Sequence, residues 1–307
     1  MRIASIDIGT NTILMLIADV LQDGSLRFVR DEHVIARLGR GVDENNNILP
    51  DAFERVAKTL GEYRTTAQNE RCDRIIACGT SALRDARNQK DFLDFIRKRL
   101  DMEIRVLSGK EEAELTYRGA VSGFVEKGKE RHFAVLDIGG GSTELTSGIN
   151  EQVLNAASFD IGSVRLTERY LKSSPPVSDG LDAAREKIRH HLASLPRLQP
   201  GTELVGVAGT LTTLAAMDLS LKSYDREKVD GHSLTLTTVE RIFDLLKSKS
   251  LEEIKSIPQI LPQRADILLA GVLILHEVMK HVHLEKVTAS DRGLRYGLIK
   301  ERLPESR

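Results

Sequence analysis

Two carboxylates frame a glycine-rich run in the middle of the chain, Asp137-Ile-Gly-Gly-Gly-Ser-Thr-Glu144, and that arrangement suits the handling of phosphate. The run leaves an apolar stretch, Phe133 to Leu136, that reads as a buried strand. Gly139, Gly140 and Gly141 let the backbone turn sharply so that its N–H groups converge on an oxyanion, and Ser142 and Thr143 follow them. Asp137 and Glu144, seven residues apart, are placed to hold a divalent cation beside it. The N-terminus carries a partial copy, Ala4-Ser-Ile-Asp-Ile-Gly-Thr-Asn-Thr12. Superimposed, Asp7 falls on Asp137 and Gly9 on Gly139, with Thr10, Asn11 and Thr12 completing the loop. Either loop alone could be a plain strand–turn–strand hairpin. Two copies, each leaving an apolar strand, favour phosphate binding, most strongly at the triple glycine.

Ser108-Gly-Lys-Glu-Glu112 separates two neighbouring glutamates by role. Ser108 with Glu111 three residues on makes a capping box, a structural task. Glu112 lies about 100° further round the helix, outside the cap. A carboxylate there could take a proton from water attacking a phosphoryl group, or could simply be solvated. Thr80-Ser81-Ala-Leu-Arg84 puts hydroxyls at a strand-to-helix junction with a guanidinium one turn in, a pattern that suits an anion or an ordinary N-cap. Gly206-Val-Ala-Gly209-Thr210 repeats that junction later and could receive a nucleotide or the far end of a phosphate chain. Ser290-Asp-Arg-Gly-Leu-Arg-Tyr-Gly297 is either a close helix–sheet contact or a basic wall. The histidines align no ligand set, His190 and His191 read as solvated, and no Ser/His/Asp triad or Walker A loop is present.

Elements must position these residues, and 307 residues suffice for two domains. Strands are expected over Arg2 to Asp7, Ile13 to Val20 and Leu26 to Val34, then a helix from Pro50, a strand at Arg74 to Cys78, a helix near 90–100 and a strand near 103–107. The second half repeats the plan, with strands near 132–138, 142–148 and 151–158 and a helix after Gly162. A surface turn is expected at Pro175-Pro176 with Ser178-Asp-Gly180, and a helix follows to Leu195. A strand at Glu203 to Val207, a helix over Leu211 to Met217, an irregular loop at Asp225 to Ser233 and helices near 237–249 and 263–281 follow. A last strand at Lys286 to Ser290 precedes a final helix. This is an α/β pattern whose repeat of about 130 residues is too long for a solenoid and implies duplicated domains, 1–119 and 120–307, the last helix free to pack back on the first. Facing each other across the crevice between the halves, the two loops would sit beyond the carboxyl ends of strands. A net charge of −1 offers no general basic field for nucleic acid. No apolar run reaches the roughly 20 residues of a membrane span. The strand beginning near Met1 leaves no room for a signal peptide, and Cys72 and Cys78 read as structural thiols in a reducing cytoplasm.

Taken together, Ile6-Asp-Ile-Gly-Thr-Asn-Thr12, Gly79-Thr-Ser-Ala-Leu-Arg84, Leu107-Ser-Gly-Lys-Glu-Glu-Ala113, Asp137 to Glu144, Val207-Ala-Gly-Thr210 and Ser290 to Gly297 resemble the exopolyphosphatase / guanosine pentaphosphate phosphohydrolase (Ppx/GppA) family over nearly the whole chain. The resemblance implies two actin-like, ribonuclease H-like domains of the actin / sugar-kinase / heat-shock-chaperone superfamily with a cleft between them. It implies Glu112 as catalytic base, with Asp137 and Glu144, and Asp7 beside them, near a magnesium ion. It implies phosphate contacts from the loops at 9–12 and 139–143, aided by Thr80, Ser81 and Arg84, with Gly209, Thr210, Arg264 and Arg295 as further substrate contacts. The implied reaction releases orthophosphate from polyphosphate or from guanosine pentaphosphate, the tetraphosphate being its product, in the cytoplasm, and a homodimer is compatible with the family. The chain resembles the short members, without the C-terminal helical domains that help hold long polyphosphate. Leu14 stands where members often carry a basic residue, and Arg264, Arg292 and Arg295 are candidates to compensate. Two rival readings fit the same residues, a kinase of the same superfamily transferring phosphate to an acceptor, and a non-catalytic sensor of guanosine tetra- or pentaphosphate.

Overall fold

A computed structural model describes residues 1–40, 42, 46–195 and 197–302. The chain divides into two compact units, one of Met1–Gly119 with the chain from Leu294 onward, the other of Ala120–Gly293.

The first unit is built on a mixed sheet in the order β3-β2-β1-β4-β5. Strands β1 (Arg2–Ile8), β2 (Ile13–Val20) and β3 (Leu26–Val34) form an antiparallel meander, and β4 (Arg74–Gly79) and β5 (Ile104–Val106) add in parallel. Ile3, Ala4, Ser5 and Ile6 are all buried, so β1 is covered on both faces and reads as a continuous apolar run rather than an alternation. Helix α1 (Pro50–Asn69) starts on Pro50, whose fixed φ and missing N–H suit a first turn. It buries Val56, Leu60 and Tyr63 against the sheet, and the Tyr63 hydroxyl donates to the Ile13 carbonyl at 3.0 Å. Helices α2 (Ser81–Asp85), α3 (Gln89–Leu100) and α4 (Gly109–Val121) complete the run. The final helix α12 (Leu294–Lys300) belongs to this unit, its Leu294 and Leu298 packing with Cys78, Leu107 and Leu115. Gly297 is required there, because a Cβ would lie 1.9 Å from the Leu115 carbonyl oxygen.

The second unit repeats the meander as β6 (His132–Ile138), β7 (Thr143–Ile149) and β8 (Gln152–Phe159), in a sheet ordered β10-β11-β9-β6-β7-β8. Strands β9 (Glu203–Val207) and β11 (Lys286–Ala289) extend it in parallel and β10 (Ser233–Thr235) closes it antiparallel. Around it lie α5 (Ser163–Tyr170), α6 (Ser178–Leu192), α7 (Ala208–Asp218), α8 (Arg226–Val229), α9 (Leu236–Lys247), α10 (Leu251–Lys255) and α11 (Ala265–His281). Helix α11 is almost wholly buried and centres the core.

Three local expectations change. The expected surface turn holds at Pro175-Pro176 but ends by Val177, for Ser178-Asp-Gly180 is already the first turn of α6, with Gly180 admitting the Tyr170 carbonyl where a Cβ would stand 2.4 Å from it. The stretch 225–233 is not irregular throughout, since Asp225 caps α8 by accepting from the Lys228 amide. His191 is half-buried against Phe159, and burial lowers its pKa. Among the described residues no helix is long and apolar enough to cross a membrane.

Candidate active site

In the second unit, β6 delivers Asp137 to the mouth of the glycine loop, and the loop closes with the Gly139 amide donating to the Ser142 carbonyl at 3.0 Å. What lies behind the loop fixes its direction. The Gly139 carbonyl accepts from the Ser163 amide at 2.9 Å and from its hydroxyl at 3.2 Å. The Gly140 carbonyl accepts from the amides of Val164 and Arg165, at 2.9 and 3.1 Å, and the Gly141 carbonyl accepts from Arg165 Nε at 2.8 Å. In a planar trans peptide the N–H points opposite to the C=O, and the one cis bond among the described residues is Ser174–Pro175. Pinning three consecutive carbonyls to the start of α5 therefore turns the amides of Gly140, Gly141 and Ser142 the other way, as a nest of donors for an oxyanion. Gly162 makes this approach feasible, since a Cβ there would lie 2.4 Å from the Gly140 oxygen.

Asp137 and Glu144 are direct cross-strand partners, so both carboxylates stand on one face of the sheet. Glu144 is 2% exposed and its Oε1 accepts from the Ser158 hydroxyl at 2.7 Å. The Thr143 hydroxyl turns away from the loop and donates to the Ile161 carbonyl at 2.6 Å. Among the described residues no group of three or more His, Cys, Asp or Glu side chains gathers as a metal cage. Magnesium asks for less, one or two carboxylates with waters and substrate phosphate making up the octahedron, and the Asp137–Glu144 pair fits that demand.

The first unit holds the same turn, with the Gly9 amide donating to the Thr12 carbonyl at 3.0 Å. Here the amides of Gly39 and Arg37 pin the Thr10 and Asn11 carbonyls, at 2.8 and 2.9 Å, and thereby aim the amides of Asn11 and Thr12. Thr10 and Thr12 are buried, and the Asn11 Nδ2 is a buried donor with no hydrogen-bond partner among the described residues. Asp7 faces Leu14 across the ladder, so this loop has one carboxylate where the other has two.

Glu111 and Glu112 have opposite surroundings. The reciprocal cap is formed, with the Ser108 amide donating to Glu111 Oε2 at 2.9 Å and the Glu111 amide to Ser108 Oγ at 3.2 Å. Arg105, with Ser108, holds the Glu111 carboxyl down to about 2. Burial raises the pKa of Glu112 instead, opposed by Arg84, whose Nη1 donates to Glu112 Oε2 at 2.8 Å and to the Leu107 carbonyl at 3.0 Å. Arg84 thus sits on the expected base. Ser81 Oγ reaches Asp85 at 3.5 Å, and Thr80 stands at the N-cap of α2, its amide donating to the Ile8 carbonyl at 3.3 Å and its side chain making no cap bond. The Cys78 thiol is pushed up by burial and then by the carboxylates of Asp7 and Glu112, which places both acids around it.

The remaining candidates lie apart from these loops in their roles. Gly209 accepts the Arg264 guanidinium directly, for a Cβ would lie 1.2 Å from Arg264 Nη1. Thr210 is buried with its hydroxyl on Gly271 of α11. Arg292 Nε stands 3.7 Å from Asp230. Arg295 is buried in the first unit and bonded to Asp31. Gly162, Ser158 and Arg165 were not legible as functional, because Gly162-Ser-Val-Arg165 reads only as a helix start.

Two units, each an antiparallel meander extended by parallel strands, each carrying a donor loop off its first strand, define an actin-like protein of the actin / sugar-kinase / heat-shock-chaperone superfamily. Within that class the chain belongs to the Ppx/GppA phosphatase family, whose profile matches residues 16–306. It is 34% identical over 312 residues to Exopolyphosphatase 2 of Mycobacterium tuberculosis, covering 97% of each chain. Among solved structures it resembles the Aquifex aeolicus Ppx/GppA family member, at 30% identity and TM-score 0.83 over 98% of this chain and 97% of that one. It also resembles an exopolyphosphatase from Cytophaga hutchinsonii, at 28% identity and TM-score 0.87 over 97% and 96%.

Proposed function

We propose that this protein is a phosphoanhydride hydrolase that releases terminal orthophosphate from inorganic polyphosphate, guanosine pentaphosphate, or both. The observation that carries the reading is the nest of three amides at 140–142 beside the Asp137–Glu144 pair, since both features answer to a charged phosphoryl group and a cation. Glu112 is the base. Burial raises its proton affinity toward that of a useful acceptor, while Arg84 holds its orientation. Water oxygen attacks the terminal phosphorus as its proton passes to Glu112, and the bridging P–O bond breaks with its electron pair leaving on the shortened chain. The amides of Asn11 and Thr12 and the side chain of Asn11 bind phosphate oxygens in the same way as the second loop. Asp137 and Glu144 would hold a magnesium ion, with Asp7 of the first loop as a further candidate ligand, and the ion would neutralise charge on the phosphoryl oxygens. The two free cysteines, Cys72 and Cys78, suit a reducing cytoplasm.

The test is orthophosphate release with magnesium from long polyphosphate, short polyphosphate, guanosine pentaphosphate and ATP, offered in parallel without an acceptor. Release that Glu112→Gln abolishes supports the hydrolase, and the preferred substrate names its specificity. Release only in the presence of an added acceptor would instead identify a kinase, and tight nucleotide binding without turnover a sensor.

A further inference from the structure

Of the contacts that hold the second loop from behind, three run from backbone amides at the start of α5 and two are side-chain bonds. One is the Ser163 hydroxyl, which only duplicates the Ser163 amide on the Gly139 carbonyl. The other is Arg165 Nε on the Gly141 carbonyl at 2.8 Å, and no other described donor shares that oxygen in the loop contacts above. The peptide it holds is 141–142, whose N–H belongs to Ser142.

We infer that Arg165 is a positioning residue for the reaction, acting through that peptide on the Ser142 amide. The inference rests on the hydrolase reading above, and it goes beyond it in giving a task to a residue outside both glycine loops. Two effects combine. The bond fixes the orientation of the peptide plane, so the Ser142 N–H is aimed before substrate arrives and no reorganisation is needed as charge develops. A guanidinium on the carbonyl oxygen also draws electron density along the amide, making its N–H a stronger donor, as hydrogen bonds in series polarise one another. The positive charge of Arg165 therefore reaches the oxyanion through the peptide group. Because Arg165 is half-buried and its backbone amide already serves Gly140, exchanging the side chain leaves the other carbonyl pins in place.

The experiment compares the full-length protein with Arg165→Gln and Arg165→Lys. Kinetics on the preferred phosphate substrate should show kcat falling about tenfold or more in Arg165→Gln with KM changing less, as for a donor whose value lies in the transition state. Arg165→Lys should recover part of it, and thermal midpoints should stay together. Independently of turnover, the Ser142 amide resonance in a 1H–15N spectrum, titrated with inorganic tripolyphosphate, should shift downfield in the wild type and much less in Arg165→Gln. An unchanged kcat overturns the inference, as does a fall in kcat with the Ser142 resonance responding as in the wild type. A wild type that turns over no substrate sinks the hydrolase reading alone, and the resonance then decides the role of Arg165.

Discussion

The loops at 9–12 and 139–142 are closed by the same bond at the same 3.0 Å, yet they are held from behind by different material. The first is pinned at two carbonyls by Arg37 and Gly39, in the chain that follows β3. The second is pinned at three by the start of α5, in the chain that follows β8, the third of them through the Arg165 side chain. Across the ladder, Asp7 faces Leu14 while Asp137 faces Glu144. The turn is common because a glycine leaving a buried strand makes it whatever follows. Charge is what has diverged. The second unit concentrates amide donors and a carboxylate pair, which the proposed reading gives to a cation. The first supplies Asn11 and, on a separate helix, the buried Glu112 to which that reading gives the part of base.

That division of labour can be broken from either side, and the largest effect should come from the base. Glu112→Gln should lower kcat by about 10²- to 10⁴-fold. The wild-type rate should rise with pH through a pKa above the ordinary 4.5, because Glu112 must lose its proton to work and burial holds that proton on. The same raised pKa means that stability declines as pH climbs past 4.5, so Glu112→Gln should melt no lower than the wild type at neutral pH. Gly162→Val comes next, with about a 10²-fold loss of kcat, since a side chain there must displace the loop that carries the donors. Ser158→Ala strips the hydrogen bond from Glu144 Oε1 and should raise the magnesium concentration for half-maximal rate about tenfold, leaving the first loop unaffected.

Smaller effects sharpen the contrast. Gly9→Ala and Gly139→Ala both press a Cβ to 3.0 Å of a carbonyl, so chemical denaturation should report similar losses of about 1 kcal/mol while kcat falls further for Gly139→Ala. The smallest belongs to Glu111→Gln, which should spare activity and cost under about 1 kcal/mol because the Arg105 pair is partly exposed. Held down to about 2 in the fold, Glu111 stabilises above the unfolded value of 4.5 and ceases to as pH falls toward 2, so the difference from wild type should vanish across that interval.

The sequence revealed the glycine loops, the meanders and the Ser108–Glu111 cap because each is a local pattern of residue type against a short period. It did not reveal that Gly162 and Arg165 set the second loop, because those contacts join residues more than 20 apart and end on backbone carbonyls that any sequence carries. Arg84 and Arg295 were legible as cations but not as partners of Glu112 and Asp31, since a charge does not announce its counter-ion. Ser178-Asp-Gly180 misled for a related reason. Its composition suits a turn and a helix's first turn alike, and only the close Tyr170 carbonyl, a long-range contact, shows why a glycine stands inside the helix.

Helix α12 ties the end of the described chain to the unit in which the chain begins. Residues 120–293 are therefore an uninterrupted insertion, and a ribosome has delivered all of them before Leu294 emerges. The unit synthesised second can finish folding first, whereas the first must wait with Leu115 and Cys78 uncovered until α12 is made. A nascent chain stalled before Leu294 would expose that apolar surface to chaperones.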